Sequence, residues 1–330
     1  MTGSHPTEAH RCASPDLSIC IVSFRCRDEV LGALEAIGQG DVGPSTTFET
    51  IVVDNDSNDG TVEEIRRRFP SVRLVALDRN HGFAHAANRA LRDASGRNLL
   101  LLNPDVRVTG DTLLRAVSVL DEHPTIGALG IRLRYPDGRI QGTCGHFPDT
   151  FAVIARSLGI HGLLARLPML RSRENLAYFC FPSERHEVDG VLGAFLMMRR
   201  NTLERVGPLD AGYFLYGEDL DWCRRARRVG VRLVYEPALE GVHAQGSSAA
   251  RVPVASLRHF HRSALRYFDA HERPGLPAWV ALLARASLAV RYWLALGRHA
   301  LGLGHAQRIY LVLRRPNEHG SAEPIAARAR

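Results

Sequence analysis

Phe48-Glu49-Thr50-Ile51-Val52-Val53-Asp54-Asn55-Asp56-Ser57-Asn58-Asp59-Gly60-Thr61-Val62-Glu63-Glu64-Ile65 passes from a short apolar run through a polar turn into a charged, helix-forming segment. The run Phe48 to Asp54 is rich in Val and Ile without strict alternation, as expected of a strand covered on both faces. Three more runs of this kind surround it: Leu17 to Phe24, Val72 to Leu77 and Asn98 to Asn103. Helices are predicted between them, over Asp28 to Ile37, Thr61 to Phe69 and Phe83 to Asp93. The strand-helix rhythm predicts an α/β fold built on a mostly parallel, Rossmann-like sheet.

Ligands of such sheets bind beyond the carboxyl ends of the strands, and polar clusters stand at those ends here. They are Ser23-Phe24-Arg25, Asp54 to Thr61, Asn80-His81-Gly82-Phe83 and Asn103-Pro104-Asp105. Four clusters at four strand ends describe one shared rim. Further on, a helix is expected over Asp111 to Glu122, while Leu158 to Phe181 carries no decisive pattern. Order returns with the apolar run Val188 to Met198 and with Tyr216-Gly217-Glu218-Asp219-Leu220-Asp221-Trp222. A helix is expected over Leu220 to Arg228 and a strand over Val231 to Tyr235, with His243 ahead of Gly246-Ser247-Ser248.

The chain has 330 residues, 45% of them hydrophobic, enough for a substantial core. Its basic excess is entirely arginine; the absence of lysine removes Schiff-base chemistry and any P-loop. Six scattered cysteines without a Cys-x-x-Cys pair indicate neither a zinc knuckle nor a disulfide framework. Met1 to Pro15 lacks the basic start and apolar run of a secretory signal, so a flexible N-terminus (1–15) and a cytoplasmic catalytic part are expected. Residues 251–330 hold 13 arginines against four acids, a net +9, which leaves −2 for the rest of the chain. Trp279, Leu282, Leu283, Leu288, Val290, Tyr292, Trp293 and Leu294 lie among those arginines. This pattern suits an anionic membrane surface better than nucleic acid. Arg285, Arg291 and Arg298 interrupt the apolar run, favouring an interfacial helix, with a transmembrane helix as the alternative. Deleting the chain after about Ser256 is then expected to release it from membranes without emptying the site.

Each cluster admits a chemical and a structural reading. A carboxylate at a strand end, such as Asp105 in a turn stiffened by Pro104, can hold a divalent cation that bridges to a diphosphate; the same tripeptide also makes an ordinary turn. Asp54 and Asn55 can accept from a pyrimidine N3 hydrogen, or can cap the next helix with Ser57 and Asp59. Gly82 allows tight turning before a helix whose amides face an anion. Glu218-Asp219 opens a helix; Asp219 can take a proton from an attacking hydroxyl, while Glu218 and Asp221 also satisfy the helix dipole. His243 can complete a Mg²⁺ or Mn²⁺ shell or can be structural.

In this order the clusters resemble the inverting family 2 glycosyltransferases of GT-A fold, especially their rhamnosyltransferase-like members. The match is colinear from about Leu17 to Ser248. It rests on Ile21-Val22-Ser23-Phe24, Val53-Asp54-Asn55-Asp56-Ser57, Asn80-His81-Gly82-Phe83-Ala84 with Asn88, Asn103-Pro104-Asp105, Gly193-Ala194, Gly217-Glu218-Asp219-Leu220-Asp221 and His243. The resemblance implies one GT-A domain over 16–250, with 16–110 binding a nucleotide-diphosphate sugar and 111–250 forming an acceptor and catalytic α+β part. A basic helical tail over 251–330 follows.

Ser23, Phe24, Asp54, Asn55 and Asp56 would hold base and ribose. Asn80, Gly82, Phe83 and Asn88 would shape the diphosphate pocket with Asn103 and Pro104. Asp105 and His243 would hold Mg²⁺ or Mn²⁺, Asp219 would be the base with Glu218 beside it, and Gly193, Ala194, Asp221 and Trp222 would line the acceptor side. The implied donor is dTDP-L-rhamnose, with a UDP-linked galactofuranose or another hexose as alternative. The implied acceptor is a lipid-linked glycan of cell-wall or surface-polysaccharide assembly at the cytoplasmic membrane face. Two positions depart from the pattern: Asn103 stands where an Asp-x-Asp motif begins, and Phe24-Arg25 where Tyr-Asn is common. Of the other classes, a non-catalytic nucleotide-sugar-binding relative keeps the same fold. A nicotinamide oxidoreductase would need a Gly-x-Gly-x-x-Gly fingerprint, absent here.

Overall fold

The computed structural model describes residues 14–39, 46–164, 167, 179–244 and 253–302. Gly246-Ser247-Ser248, most of the expected N-terminal segment and the end of the basic tail lie outside the described residues. In chain order the elements are β1 (Leu17–Ser23), α1 (Arg27–Ile37), β2 (Phe48–Asp54), α2 (Thr61–Arg68), β3 (Arg73–Ala76), α3 (Phe83–Asp93) and β4 (Asn98–Leu102). Next come β5 (Val106–Arg107), α4 (Gly110–Glu122), β6 (Ile126–Arg134), β7 (Cys144–Gly145), α5 (Thr150–Ser157), α6 (His161–Leu164), β8 (Phe179–Cys180), β9 (His186–Glu187) and β10 (Gly190–Val191). Then follow β11 (Phe195–Arg199), α7 (Arg200–Val206), α8 (Glu218–Arg228), β12 (Arg232–His243), α9 (Pro253–Tyr267), a π-helical turn (Phe268–Glu272) and α10 (Ala278–Ala300).

The main sheet has the order β3-β2-β1-β4-β11-β6-β12-β5, with β9 on β12. Strands β1 to β4 are parallel, and β12 is parallel to β6, while β11, β5 and β9 run antiparallel. Strand β1 shows why the run lacked alternation: every residue is buried. Leu17, Ile19 and Ile21 face one core with α1 and α4, whereas Cys20 and Val22 face another with α3 and α8. Helix α3 lays Ala84, Ala86, Ala87 and Ala90, all fully buried, on the second face. The α/β/α layering agrees with the GT-A expectation.

Two expected segments were divided or extended by tertiary context. The apolar run Val188 to Met198 is divided: β10 joins a small sheet, β10-β7-β8, and β11 joins the main sheet, with Leu192-Gly193-Ala194 turning between them. The strand expected over Val231 to Tyr235 runs on to His243, because a register shift between Glu236 and Glu240 accommodates Pro237. Its far end pairs with β5, Val106 opposite His243. Helices α9 and α10 pack on each other, and α10 also packs on α5.

Candidate functional site

The turn after β4 is closed by Val106 N–H donating to the Asn103 carbonyl (3.1 Å), with Pro104 and Asp105 as its central residues. Proline suits the second position of such a turn, and the turn presents Asp105 toward the end of β12. Ala244 N–H donates to the Asp105 carbonyl (3.0 Å), and Asp105 Oδ1 lies 3.1 Å from His243 Nε2. Both side chains are buried. On the other side of the ring, Nδ1 lies 2.8 Å from Gln141 Oε1. An amide oxygen only accepts, so Nδ1 carries the hydrogen, and in that tautomer of the neutral ring the Nε2 lone pair faces the carboxylate.

Two acceptors facing each other call for a proton or a cation between them. Octahedral bonds of about 2.1 Å at a right angle place neighbouring ligand atoms about 3.0 Å apart, close to the observed 3.1 Å. The pair therefore fits a hard divalent cation. No group of three or more ligating side chains occurs among the described residues. Such a cation would complete its shell with diphosphate oxygens and water, as Mg²⁺ commonly does.

Gly193 and Ala194 connect this pair to the second acidic cluster. Ala194 accepts from Asn103 N–H (3.0 Å), and Gly193 N–H donates to Asp219 Oδ2 (2.7 Å). Leu220 N–H donates to the other oxygen, Oδ1 (2.8 Å), so the carboxylate is held at both ends and keeps free lone pairs. Asp219 is half-buried, and burial raises its pKa above the ordinary aspartate value. Glu218 is buried, and its Oε2 finds no hydrogen-bond donor among the described residues. Burial, then the charge of Asp219, pushes its carboxyl well above the usual range. Tyr216 adopts a left-handed backbone (φ +68°), followed by Gly217 at +84°, and the two turn the chain into α8. Burial pushes the Tyr216 hydroxyl up to about 12, with Glu218 and Asp105 adding to the rise. One phenol thus feels the charge of both acidic clusters.

At the ends of β1 and β2, the expected base-contacting residues divide. Asp54 accepts from Ser57 N–H (3.0 Å) and from the Ser57 hydroxyl, and burial raises its pKa. Asn55 is turned inward: Nδ2 donates to Asn80 Oδ1 (3.0 Å) and the Gly82 carbonyl (3.2 Å), and Oδ1 accepts from His81 N–H (2.9 Å). Its hydrogen-bonding groups thereby shape the 80–82 turn. The capping role belongs to Asp59, whose Oδ1 accepts from Thr61 N–H (3.1 Å). Ser23 is buried beside Cys26, whereas Phe24 and Asp56 are partly exposed at the rim, Asp56 with φ +68°. Gly82 has φ +88°, and Phe83 N–H donates to the Phe214 carbonyl (2.7 Å), clamping the turn to the loop that leads into α8.

Asn88 donates to the Leu209 carbonyl (2.8 Å) and accepts from Leu209 N–H (2.9 Å), pinning the 207–217 loop to α3. Two acceptor-side expectations are corrected. Asp221 is buried between Arg225 (2.8 Å) and His271 (2.7 Å), and its pKa is lowered by these partners despite burial. Trp222 is fully buried, donating to the Gly207 carbonyl (3.0 Å). Neither lines the acceptor side, because on helix α8 both turn toward the core. Sequence reasoning missed Gln141 and the pair His146–Asp189 (3.5 Å). His146 lines a narrow recess with Thr143, Phe179, Leu192 and Asp219. Both lie in a turn-rich stretch without periodicity, and only strand pairing brings them to Asp219 and His243.

Known proteins resemble the chain over this same span. Residues 18–206 match the model of glycosyl transferase family 2. The chain is 45% identical over 234 residues to the rhamnosyltransferase WbbL of Escherichia coli K12, covering 68% of this chain and 82% of that protein. It is 29% identical over 279 residues to the N-acetylglucosaminyl-diphospho-decaprenol L-rhamnosyltransferase of Mycobacterium tuberculosis, covering 79% and 87%. Among solved structures, the mannosyltransferase PcManGT of Pyrobaculum calidifontis, in complex with GDP-Man and Mn²⁺, shares the fold at TM-score 0.51 and 21% identity, covering 91% of this chain and 84% of that one. A turn holding Asp105 against His243, a helix opening on Glu218-Asp219, and these likenesses agree: the chain belongs to glycosyl transferase family 2, among its rhamnosyltransferase-like members, and is a sugar-transferring enzyme.

Proposed function

We propose that the chain transfers L-rhamnose from dTDP-L-rhamnose to a lipid-linked, diphosphate-bearing glycan in cell-wall or surface-polysaccharide assembly, by single displacement with inversion at the cytoplasmic membrane face. The observation that carries the chemistry is the backbone bridge from Asp105 through Asn103, Ala194 and Gly193 to Asp219. It joins the carboxylates of Asp105 and Asp219 by one short path, which supports reading the first as cation holder and the second as base. The names of the two rhamnosyltransferase relatives support the sugar, and that of the mycobacterial relative supports the acceptor class.

In this reading Asp219 takes the proton of the acceptor hydroxyl as its oxygen attacks the anomeric carbon and the bond to the diphosphate breaks. Its raised pKa makes it a better proton acceptor than a solvated aspartate. Asp105 and His243 hold Mg²⁺ or Mn²⁺, and when bound the ion neutralises charge on the leaving diphosphate. Gln141 keeps the imidazole in the tautomer that offers Nε2. Gly82 and Phe83 shape the turn into α3 on the phosphate side, with their own amides held by Asn80 and the Phe214 carbonyl. Asp54, Asp56, Ser23 and Phe24 form the nucleoside end, and His146 stands on the acceptor side of Asp219.

The test is calorimetric titration with dTDP-rhamnose, UDP-galactofuranose, UDP-N-acetylglucosamine and GDP-mannose, each with Mn²⁺ and with chelator. Binding of dTDP-rhamnose that disappears with chelator and in Asp105→Ala is the expected result. Selective binding of a UDP-sugar would replace rhamnose as donor, and a folded chain that binds none of the four would overturn the rhamnose assignment in favour of a donor outside this set.

A further inference from the structure

Helix α10 turns a narrow stripe of Ala281, Ala284, Ser287, Leu288 and Ala295 inward, all buried. Ala281, Ala284 and Leu288 form a small core with Phe268, against which Val153 and Ile154 of α5 also pack. Its other side presents Trp279, Leu282, Leu283, Val290, Trp293 and Leu294, between 46% and 70% exposed. The helix is long and apolar enough to cross a membrane. Crossing would strip the inward stripe from α5 and the π-turn. That turn is itself tied to α8, through His271 to Asp221 (2.7 Å) and Glu272 to Arg224 (2.8 Å). The flanking α5–α6 segment adds exposed Leu158, Ile160 and Leu163, a feature no sequence pattern announced.

Charge selects the occupant of this face. Helices α9 and α10 carry six arginines and no acidic residue. Arg258, Arg262 and Arg298 are exposed and join no ion pair among the described residues. A second copy would bring like charges together, whereas anionic headgroups complement them and admit tryptophan at the interface.

We propose that the exposed side of α10, with the tips of α5 and α6, is a docking surface for an anionic bilayer, on which α10 lies in the headgroup plane. The proposal rests on the reading of a lipid-linked acceptor and deepens it. Because α8 is tied to the docked elements, the bilayer fixes the tilt of the helix that begins with Glu218 and Asp219.

The test uses the full chain, with sedimentation on phosphatidylcholine vesicles with and without phosphatidylglycerol. Leu282→Glu with Trp293→Glu and, separately, Leu163→Glu are compared with wild type, and circular dichroism and donor calorimetry are run on the same samples. Wild type should bind the anionic vesicles and be released by alkaline carbonate. The double variant should bind about tenfold more weakly, and Leu163→Glu should lose affinity to a smaller extent. Unchanged vesicle binding in both variants, retention of wild type after carbonate, or a wild-type dimer that the double variant dissolves without vesicle binding would each overturn the proposal. Loss of vesicle binding by the variants supports it whatever the donor titration gives; a chain that docks yet does not bind dTDP-rhamnose refutes the donor reading separately.

Discussion

Asp219 and Glu218 are neighbours with different tasks. Asp219 is clamped by two amides yet partly exposed, so Asp219→Asn should keep the fold and donor affinity while turnover falls about 10²–10⁴-fold. Because burial raises the Asp219 pKa, the acid limb of the wild-type rate profile should lie above the ordinary aspartate value, rate falling as pH drops through it. A profile flat down to that value would exclude Asp219 as the base. For Glu218 the consequence appears in stability. Its folded pKa lies above the unfolded one, so its favourable contribution is complete below the unfolded pKa and is lost as pH rises through the folded pKa. Glu218→Gln should therefore melt at a higher temperature than wild type at pH 7, with the gap closing toward pH 4. An equal melting temperature at pH 7 would refute the buried-charge account.

At the scale of elements, periodicity located most of the donor half. The expected bounds of β2 (Phe48–Asp54) and α3 (Phe83–Asp93) coincide with the observed ones, since strands buried on both faces and a helix with an alanine face leave unambiguous patterns. Contacts between elements left no such trace. Asn55 and Asn88 look like ligand residues in the chain, yet both bind loops to elements; nothing in an isolated Asn reveals whether its amide points to solvent or to backbone. Gly82 is the test of this scaffolding. An added Cβ would sit 2.6 Å from the Phe214 carbonyl oxygen at a left-handed φ. Gly82→Ala should destabilise the chain by about 1–3 kcal/mol and weaken donor binding, as read by denaturant melts and calorimetry. Unaltered donor affinity would remove the 80–82 turn from the donor pocket.

At the scale of the whole molecule the C-terminal helices are tied by contacts to α8 and α5, which bears on what removing the expected tail would do. A chain ending at Ser256 would leave Asp221 without His271, Arg224 without Glu272, and α5 without its partners from Phe268 to Leu288. Stripping one member of a buried charged pair costs about 3–5 kcal/mol. The truncated chain should therefore lose transfer activity and melt lower, in addition to leaving membranes. A truncated form with wild-type melting and full activity toward a soluble acceptor would show the two parts to be independent.

The sequence by itself determined the layered α/β fold, the four polar strand ends and the carboxylates Asp105, Glu218 and Asp219, because hydrophobic period and strand-end position are local properties of a chain. Tertiary structure alone decided how those ends meet. Strand β12 had to run past Pro237 through its bulge to bring His243 beside Asp105, and β10 had to leave β11 for Gly193 to reach Asp219. Likewise only packing showed which side of α10 faces α5 and which is left exposed. Register shifts, amide orientation and helix docking depend on partners far away in the chain, and no local pattern encodes them.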